Sequence, residues 1–462
     1  MGEISRTVTK VTLPVVTEQF FIVIMGSVNA IMVSNIGKEA ISGISLIDSI
    51  SLVVIALFSL ITVGSTIIVA QYAGTGDRAM MSGTARQAVM TAAALSVFVS
   101  AALFAVRRPM LTALYSAADQ GVLDAALAYF TIALFSYPLL AVNSTAFGVM
   151  RGSGDTKTPM RISVIMNGAN IALSYVLIYG LNCYLGPIAI DIPGFGVHGA
   201  AIGLTAARLL GASLSLYAIW GQGSAVSIRG ILRERPSAPI QREIMRYGIP
   251  ACVESTMFQS GKIVVQMLIV RLGTAAITAN FIANSIFGLI NIPGEALCIS
   301  AVTLVGQSVA RGDGGHTKKV SAYVTLLSSA ALLVLSLAFL PFLKGIIGLY
   351  TQDAETASLT YGLLLTLTAT LGILWSGSFV LPPCLRSVGD VRFTMYVSVA
   401  CMWLCRVVFS YLLTVVWDLG IYGIWVAMYM DWVFRTSIQA FRLARGKWVR
   451  EFERISKSLA GR

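Results

Sequence analysis

Twelve apolar runs, each near the roughly 20 residues a helix needs to cross a bilayer, constrain this chain more than any motif does. They lie near residues 12–35, 46–70, 87–106, 125–148, 161–181, 198–220, 247–270, 278–304, 319–342, 357–380, 393–416 and 421–441. In hydrocarbon each backbone N–H and C=O must be satisfied within its own segment, so such runs are read as helices. The fold expected is an all-α membrane protein of twelve transmembrane helices. Composition agrees. The chain is 12% charged with a mean hydropathy of +0.80, whereas a soluble domain carries about 25% charged residues. The first run holds Glu18 and lacks a small-residue cleavage site, so a removable signal peptide is not expected.

The net charge of +12 does not indicate a nucleic-acid partner, because the basic residues fall in short segments between the runs. With the N-terminus in the cytoplasm, 25 of the 33 Lys and Arg residues lie inside and 5 outside (Lys38, Arg107, Arg108, Arg271 and Lys344). Arg208, Lys262 and Arg406 fall within the runs. This asymmetry places both termini in the cytoplasm of a multi-pass plasma (inner) membrane protein. The six cysteines form no Cys-x-x-Cys and the two histidines stand far apart, so neither a metal site nor another resident cofactor is expected.

A second feature organises the runs. Leu13-Pro14 with Glu18 returns as Ile249-Pro250 with Glu254, an offset of 236 residues. At that offset Gly37 meets Gly273, Gln71 meets Gln307, and Gly76-Asp77 meets Gly312-Asp313. One residue of slippage later, Arg151 meets Arg386 and Gly154-Asp155 meets Gly389-Asp390. A duplicated unit of six spans crosses in the same sense twice, so the copies are related by an axis along the membrane normal. The division read from this is an N-terminal six-helix lobe, 1–221, a cytoplasmic linker, 222–246, a C-terminal six-helix lobe, 247–441, and a basic tail, 442–462. Two pseudo-twofold-related bundles suit alternating access.

Ionisable groups inside apolar helices are costly, so they face an interior or a cavity. Glu18 and Glu254 are candidate carriers of the coupling cation or of a cationic substrate. Lys262 follows Glu254 by eight residues, too far round the helix for a direct pair, and suggests either an anionic substrate group or neutralisation of an acid. Asn291-Ile-Pro-Gly-Glu295 interrupts the eighth run, where freed backbone and Glu295 can coordinate a cation. Arg208, Arg406 and Asp431 are read as intramembrane charge pairs, and Asp48 as an interface or capping residue. Arg151, Asp155, Arg386 and Asp390 sit in inner loops with the look of turns and are read as gating elements. No Gly-Lys-Ser/Thr phosphate loop is present, so the energy is expected from an ion gradient or from a partner. No nucleophile or metal-protease motif suggests an enzyme.

Several stretches resemble the multidrug and toxic compound extrusion (MATE) family: Val69-Ala70-Gln71-Tyr72-Ala73-Gly74, Met150-Arg151-Gly152-Ser153-Gly154-Asp155-Thr156-Lys157-Thr158-Pro159, Gly196-Val197-His198-Gly199, Val305-Gly306-Gln307, and the ending Gly446-Lys447-Trp448. The resemblance implies two six-helix bundles around a V-shaped cleft. It also implies a secondary active antiporter that exports organic, often cationic and amphipathic, compounds in exchange for Na⁺ or H⁺. Partners so implied are a drug-like small molecule and the lipid bilayer, and a monomer is expected. Family members often carry Asp eight residues before the glycine matched by Gly37. This chain has Asn29 there, which cannot titrate and would be a neutral ligand, with Glu18 on the same helix face as the titrating group. The alternative is an exporter or flippase of lipid-linked precursors from the same broad superfamily.

Overall fold

A computed structural model of the chain describes residues 2–115, 119–185, 188–221 and 225–460. Arg462, the start of the 222–246 linker, and the side chains of Lys38 and Cys183 lie outside the described residues. Helices α1 (Gly2–Ser34), α2 (Lys38–Thr75), α3 (Arg78–Leu114), α4 (Gln120–Gly152), α5 (Lys157–Tyr179) and α6 (Gly196–Trp220) form the first copy. The second comprises α7 (Ala238–Val270), α8 (Thr274–Ile290), α9 (Ile292–Val309), α10 (Gly314–Tyr350), α11 (Ala354–Ser387), α12 (Val391–Val416) and α13 (Gly420–Ala444). A last helix, α14 (Val449–Ala460), occupies the tail.

The helical membrane fold expected is present. Among the described residues, ten helices are long and apolar enough to cross a membrane. The shortfall from twelve has local causes. The eighth run is two helices, α8 and α9, broken at Asn291 where Pro293 cannot donate to the ladder, and it still counts through α9, so the two missing spans are the seventh and the twelfth. Helices α7 and α13 are 33 and 25 residues long but hold Glu254 and Lys262, and Asp431 and Arg435, respectively. Among the described residues one hairpin is not helical. Strand β1 (Leu181–Leu185) pairs antiparallel with β2 (Ile188–Ile192) between α5 and α6. The alternation Ile188, Ile190, Ile192 has the period of two that marks a strand.

Packing divides the chain into two compact units that do not follow the duplication. The first comprises Met1–Gln19, Ala70–Asp77 and Ile249–Arg462; the second comprises Phe20–Val69 and Arg78–Gly248. Helices α1 and α2 therefore change neighbours along their length, which a hydropathy pattern does not record. In the second unit Ile47, Phe130, Leu134 and Tyr137 lie at the centre of a buried apolar cluster. There α2 and the start of α7 cross through reciprocal glycines: a side chain on Gly64 would strike the Ile244 carbonyl, and one on Gly248 the Leu60 carbonyl. Small residues allow such close backbone approach in membranes, where packing rather than water drives helix association. Gly248→Ala is expected to destabilise the protein by about 1–3 kcal/mol through overpacking. A fluorescence melt of the detergent-purified variant that matched the parent would contradict this.

In the first unit the duplication is visible as contact. The methyl of Ala70 lies 2.7 Å from where a Cβ on Gly306, its own register partner, would stand. Gly74 faces the carbonyl of Gln307, and Gln71 donates to the Ser387 carbonyl at 2.9 Å. A residue that meets its own duplicate is what a twofold relation requires locally. The tail folds back on this unit as well. Trp448, Phe452 and Ile455 are buried, with Phe452 over Gly314 and Ile455 over Gly389.

Candidate functional site

The repeated Gly-Asp motifs are joints between helices. Gly154 and Gly389 adopt φ of +96° and +95°, a left-handed conformation that costs glycine little. Each ends its helix in the same way. Gly154 donates to Arg151 O and Asp155 to Met150 O; Gly389 donates to Arg386 O and Asp390 to Leu385 O, the double closure of a Schellman cap. The aspartates then diverge. The Asp155 carboxylate accepts from Thr158 N at 3.0 Å and starts α5. The Asp390 carboxylate is held bidentately by Arg442 at 2.7 and 3.1 Å, and Arg442 lies over Phe393. The Asp313 carboxylate caps α10 through His316 N, and that hydrogen bond holds it below the usual carboxylate range.

Inside the first unit, two polar groupings share the aromatic interior. The first is the break between α8 and α9. Asn291 is buried and donates its amide to Glu295 Oε1 at 3.1 Å, while its Oδ1 is buried with no hydrogen-bond partner. Gly294 leaves room for this arrangement, since a Cβ there would stand 2.7 Å from Asn291 Oδ1 and 2.6 Å from the Trp375 ring. A carboxylate and an unsatisfied amide oxygen at a helix break are ligands for a small cation. Glu295 is exposed on its helix and interacts electrostatically with Lys262 without forming a contact ion pair.

The second grouping surrounds Phe258 on α7. Lys262 Nζ, Arg406 Cζ and Arg435 Cζ lie 5.9, 5.8 and 5.7 Å from the centroid of that single ring. Arg435 also stands 5.3 Å from the centroid of Phe379, which stacks on Trp375 at 5.0 Å and meets Trp432 edge-on. Arg406 and Trp375 both lie in wide π-type turns, Cys401–Val408 and Leu371–Trp375, a geometry that re-aims side chains and recurs at functional sites. Asp431 accepts from Arg435 Nη2 at 3.0 and 3.3 Å. Both residues are buried, with 0% and 2% exposure.

The sequence matches the MatE family model over residues 14–176 and again over 250–412, two segments displaced by the 236 residues of the internal repeat. The chain belongs to the MATE family of transporters. It is similar to the "Probable multidrug resistance protein NorM" of Thermotoga maritima, 23% identical with 96% of this chain and 93% of that protein covered. It is also similar to the "Multidrug resistance protein MdtK" of Photorhabdus laumondii, 23% identical with 97% and 96% covered. Among solved structures, an outward-facing multidrug resistance MATE family transporter of the MOP superfamily shares the fold, with a TM-score of 0.83, 19% identity and 96% of each chain covered.

Within this MATE chain the residues singled out from the sequence fall in different settings. Glu18 is buried in the first unit, at 1% exposure. Glu254 pairs with Arg386 at 3.3 Å, and both side chains are mostly buried. Arg386, read as a loop residue, thus reaches an acid within a span. Arg151 lies over Phe147. Asn29 is half-buried in the second unit, and its Oδ1 has no hydrogen-bond partner. Arg208 donates to Ser136 Oγ at 2.6 Å and faces Asp48, Tyr129 and Tyr137, while Tyr137 and Ser51 share a hydrogen bond. Asp48 therefore joins a polar cluster of the second unit. Its place near the start of a run suggested an interface or capping residue.

Arg435 was missed altogether, since its place seven residues before the basic tail put it among topogenic cations. Its spacing of four from Asp431 is the i,i+4 signal that could have found it. Apart from both groupings, a cavity of about 220 Å³ in the first unit is lined by Thr7, Gln307, Arg311 and His316 among others.

Proposed function

We propose that this MATE transporter is a secondary active exporter that exchanges organic compounds for Na⁺ or H⁺ by alternating access, from the inner membrane, with both termini cytoplasmic and as a monomer. The observation that carries this reading is the break in the eighth span, where Glu295 and the unsatisfied Oδ1 of Asn291 provide the ligands a coupling cation needs. Relatives described as multidrug resistance proteins support the organic substrate. Of the intramembrane acids, Glu254 and Asp431 are engaged by arginines at contact distance, whereas Glu295 faces Lys262 without contact and can exchange one cation for another.

The cycle follows from differential affinity. A cation at Glu295 favours one arrangement of the helices, its absence favours the other, and the gradient sets which is populated on each side. In inverted vesicles holding the full-length protein, uptake of an ethidium-like dye is expected to stop when one of the two gradients, sodium or proton, is collapsed separately. Accumulation that survives the collapse of both would overturn the reading, and dependence on ATP alone would do the same.

A further inference from the structure

The grouping around Phe258 carries more positive charge than its acids can match. Lys262, Arg406 and Arg435 crowd one ring. Asp431 is bonded to Arg435 through both its oxygens, and Glu295 acts on Lys262. Arg406 remains. Among the described residues it forms no ion pair, and its Nε is buried without a hydrogen-bond partner. A guanidinium has five N–H donors, and a buried one without acceptors is costly in a membrane interior. Two further donors beside it are in the same condition: Arg435 Nε, and the indole Nε1 of Trp432, a residue at 1% exposure. Buried donors without acceptors, gathered at stacked aromatic faces, describe the complement of a particular ligand. That ligand has an acidic group to accept from the guanidinium fork and a flat apolar body to lie against the partly exposed rings of Phe258 and Phe379.

We infer that the Phe258 cluster is a binding site for the acidic group of an aromatic organic anion or zwitterion, with Arg406 as its principal donor. The inference rests on the reading of the chain as an exporter of organic compounds and specifies the substrate charge which that reading leaves open. Glu295 acts on Lys262 and is not among the groups that act on Arg406, so the cation ligands and the anion donors are separate groups. Phe258 contributes its ring face, over which all three cationic side chains hold their positions.

The test uses the full-length protein in detergent with no gradient, so its outcome is independent of whether transport is ion-coupled. Two probes share one ring and differ in charge: naphthalene-1-acetate and naphthalen-1-ylmethylammonium. Isothermal titration is expected to show the anion bound at least tenfold more tightly than the cation. Arg406→Met removes the charge at similar length. It is expected to lower anion affinity at least tenfold and leave cation affinity within twofold, and Arg406→Lys is expected to fall between the two. Equal binding of both probes by the parent protein would mean apolar partition only and would overturn the site. Unchanged anion affinity in Arg406→Met would overturn it too. Should that variant elute as aggregate, Lys262→Met is titrated in its place, with a fivefold loss of anion affinity supporting the site and no loss refuting it.

Discussion

Asp431→Asn is expected to destabilise the protein by about 3–5 kcal/mol, the cost of stranding a buried charge when its partner is removed. The estimate comes from position rather than from the worth of the ion pair. Arg435 is 2% exposed, its only carboxylate contact among the described residues is Asp431 at 3.0 Å, and its remaining acceptor is the Ser398 carbonyl at 3.4 Å. Arg406 and Lys262 stand around the same ring and repel the freed guanidinium. Asparagine keeps the shape and one acceptor but none of the charge. The double variant Asp431→Asn with Arg435→Gln is expected to recover more than half of the loss, because both charges leave together. Thermal melts of the three proteins in detergent measure this. A single variant that melts with the parent, or a double variant less stable than the single, would show that the pair does not carry the load assigned to it.

Glu295→Gln is expected to reduce gradient-driven export by at least about tenfold, equivalent to some 1.4 kcal/mol of lost coupling. Glutamine retains an acceptor for the Asn291 amide, so the break between α8 and α9 keeps its hydrogen bond of 3.1 Å. What disappears is the negative charge. A neutral site has no preference for the arrangement that a bound cation stabilises, so the gradient loses its grip on the equilibrium. Downhill equilibration of the same dye through the variant is expected to continue near the parental rate. That contrast separates coupling from structure, because a variant impaired merely in folding would lose both activities together. Retention of uphill transport in Glu295→Gln would move the coupling role to another acid, with Asp48 beside Arg208 in the second unit as the next to be tested.

Much of this architecture is legible in the linear chain, and the reason differs from feature to feature. Spans are sums over windows of about 20 residues, and sums survive the presence of Glu18 or Arg208 in their midst. The duplication is a register, and registers need only identities at fixed spacing. Gly154-Asp155 and Gly389-Asp390 declare their joints because a left-handed glycine with its two backbone closures is a local event, complete within six residues. The helix break at Asn291 is local in the same way, written in Pro293 and Gly294.

Partnership is another matter. Glu254 and Arg386 are 132 residues apart, and nothing in either neighbourhood announces the other. The three cations at Phe258 come from α7, α12 and α13, and their meeting depends on the azimuth and depth of each helix, including the wide turn that aims Arg406. Arg435 looked like a tail residue because charge near a span's end is ordinarily solvated. Burial, which turns that charge from a topological mark into a demand for a counterion, is a property of packing. Spans, copies and joints follow from short-range chemistry, while the pairing of charges within them is set by how the helices lie against one another, since a Coulomb or hydrogen-bond interaction reads distance in space and not along the chain.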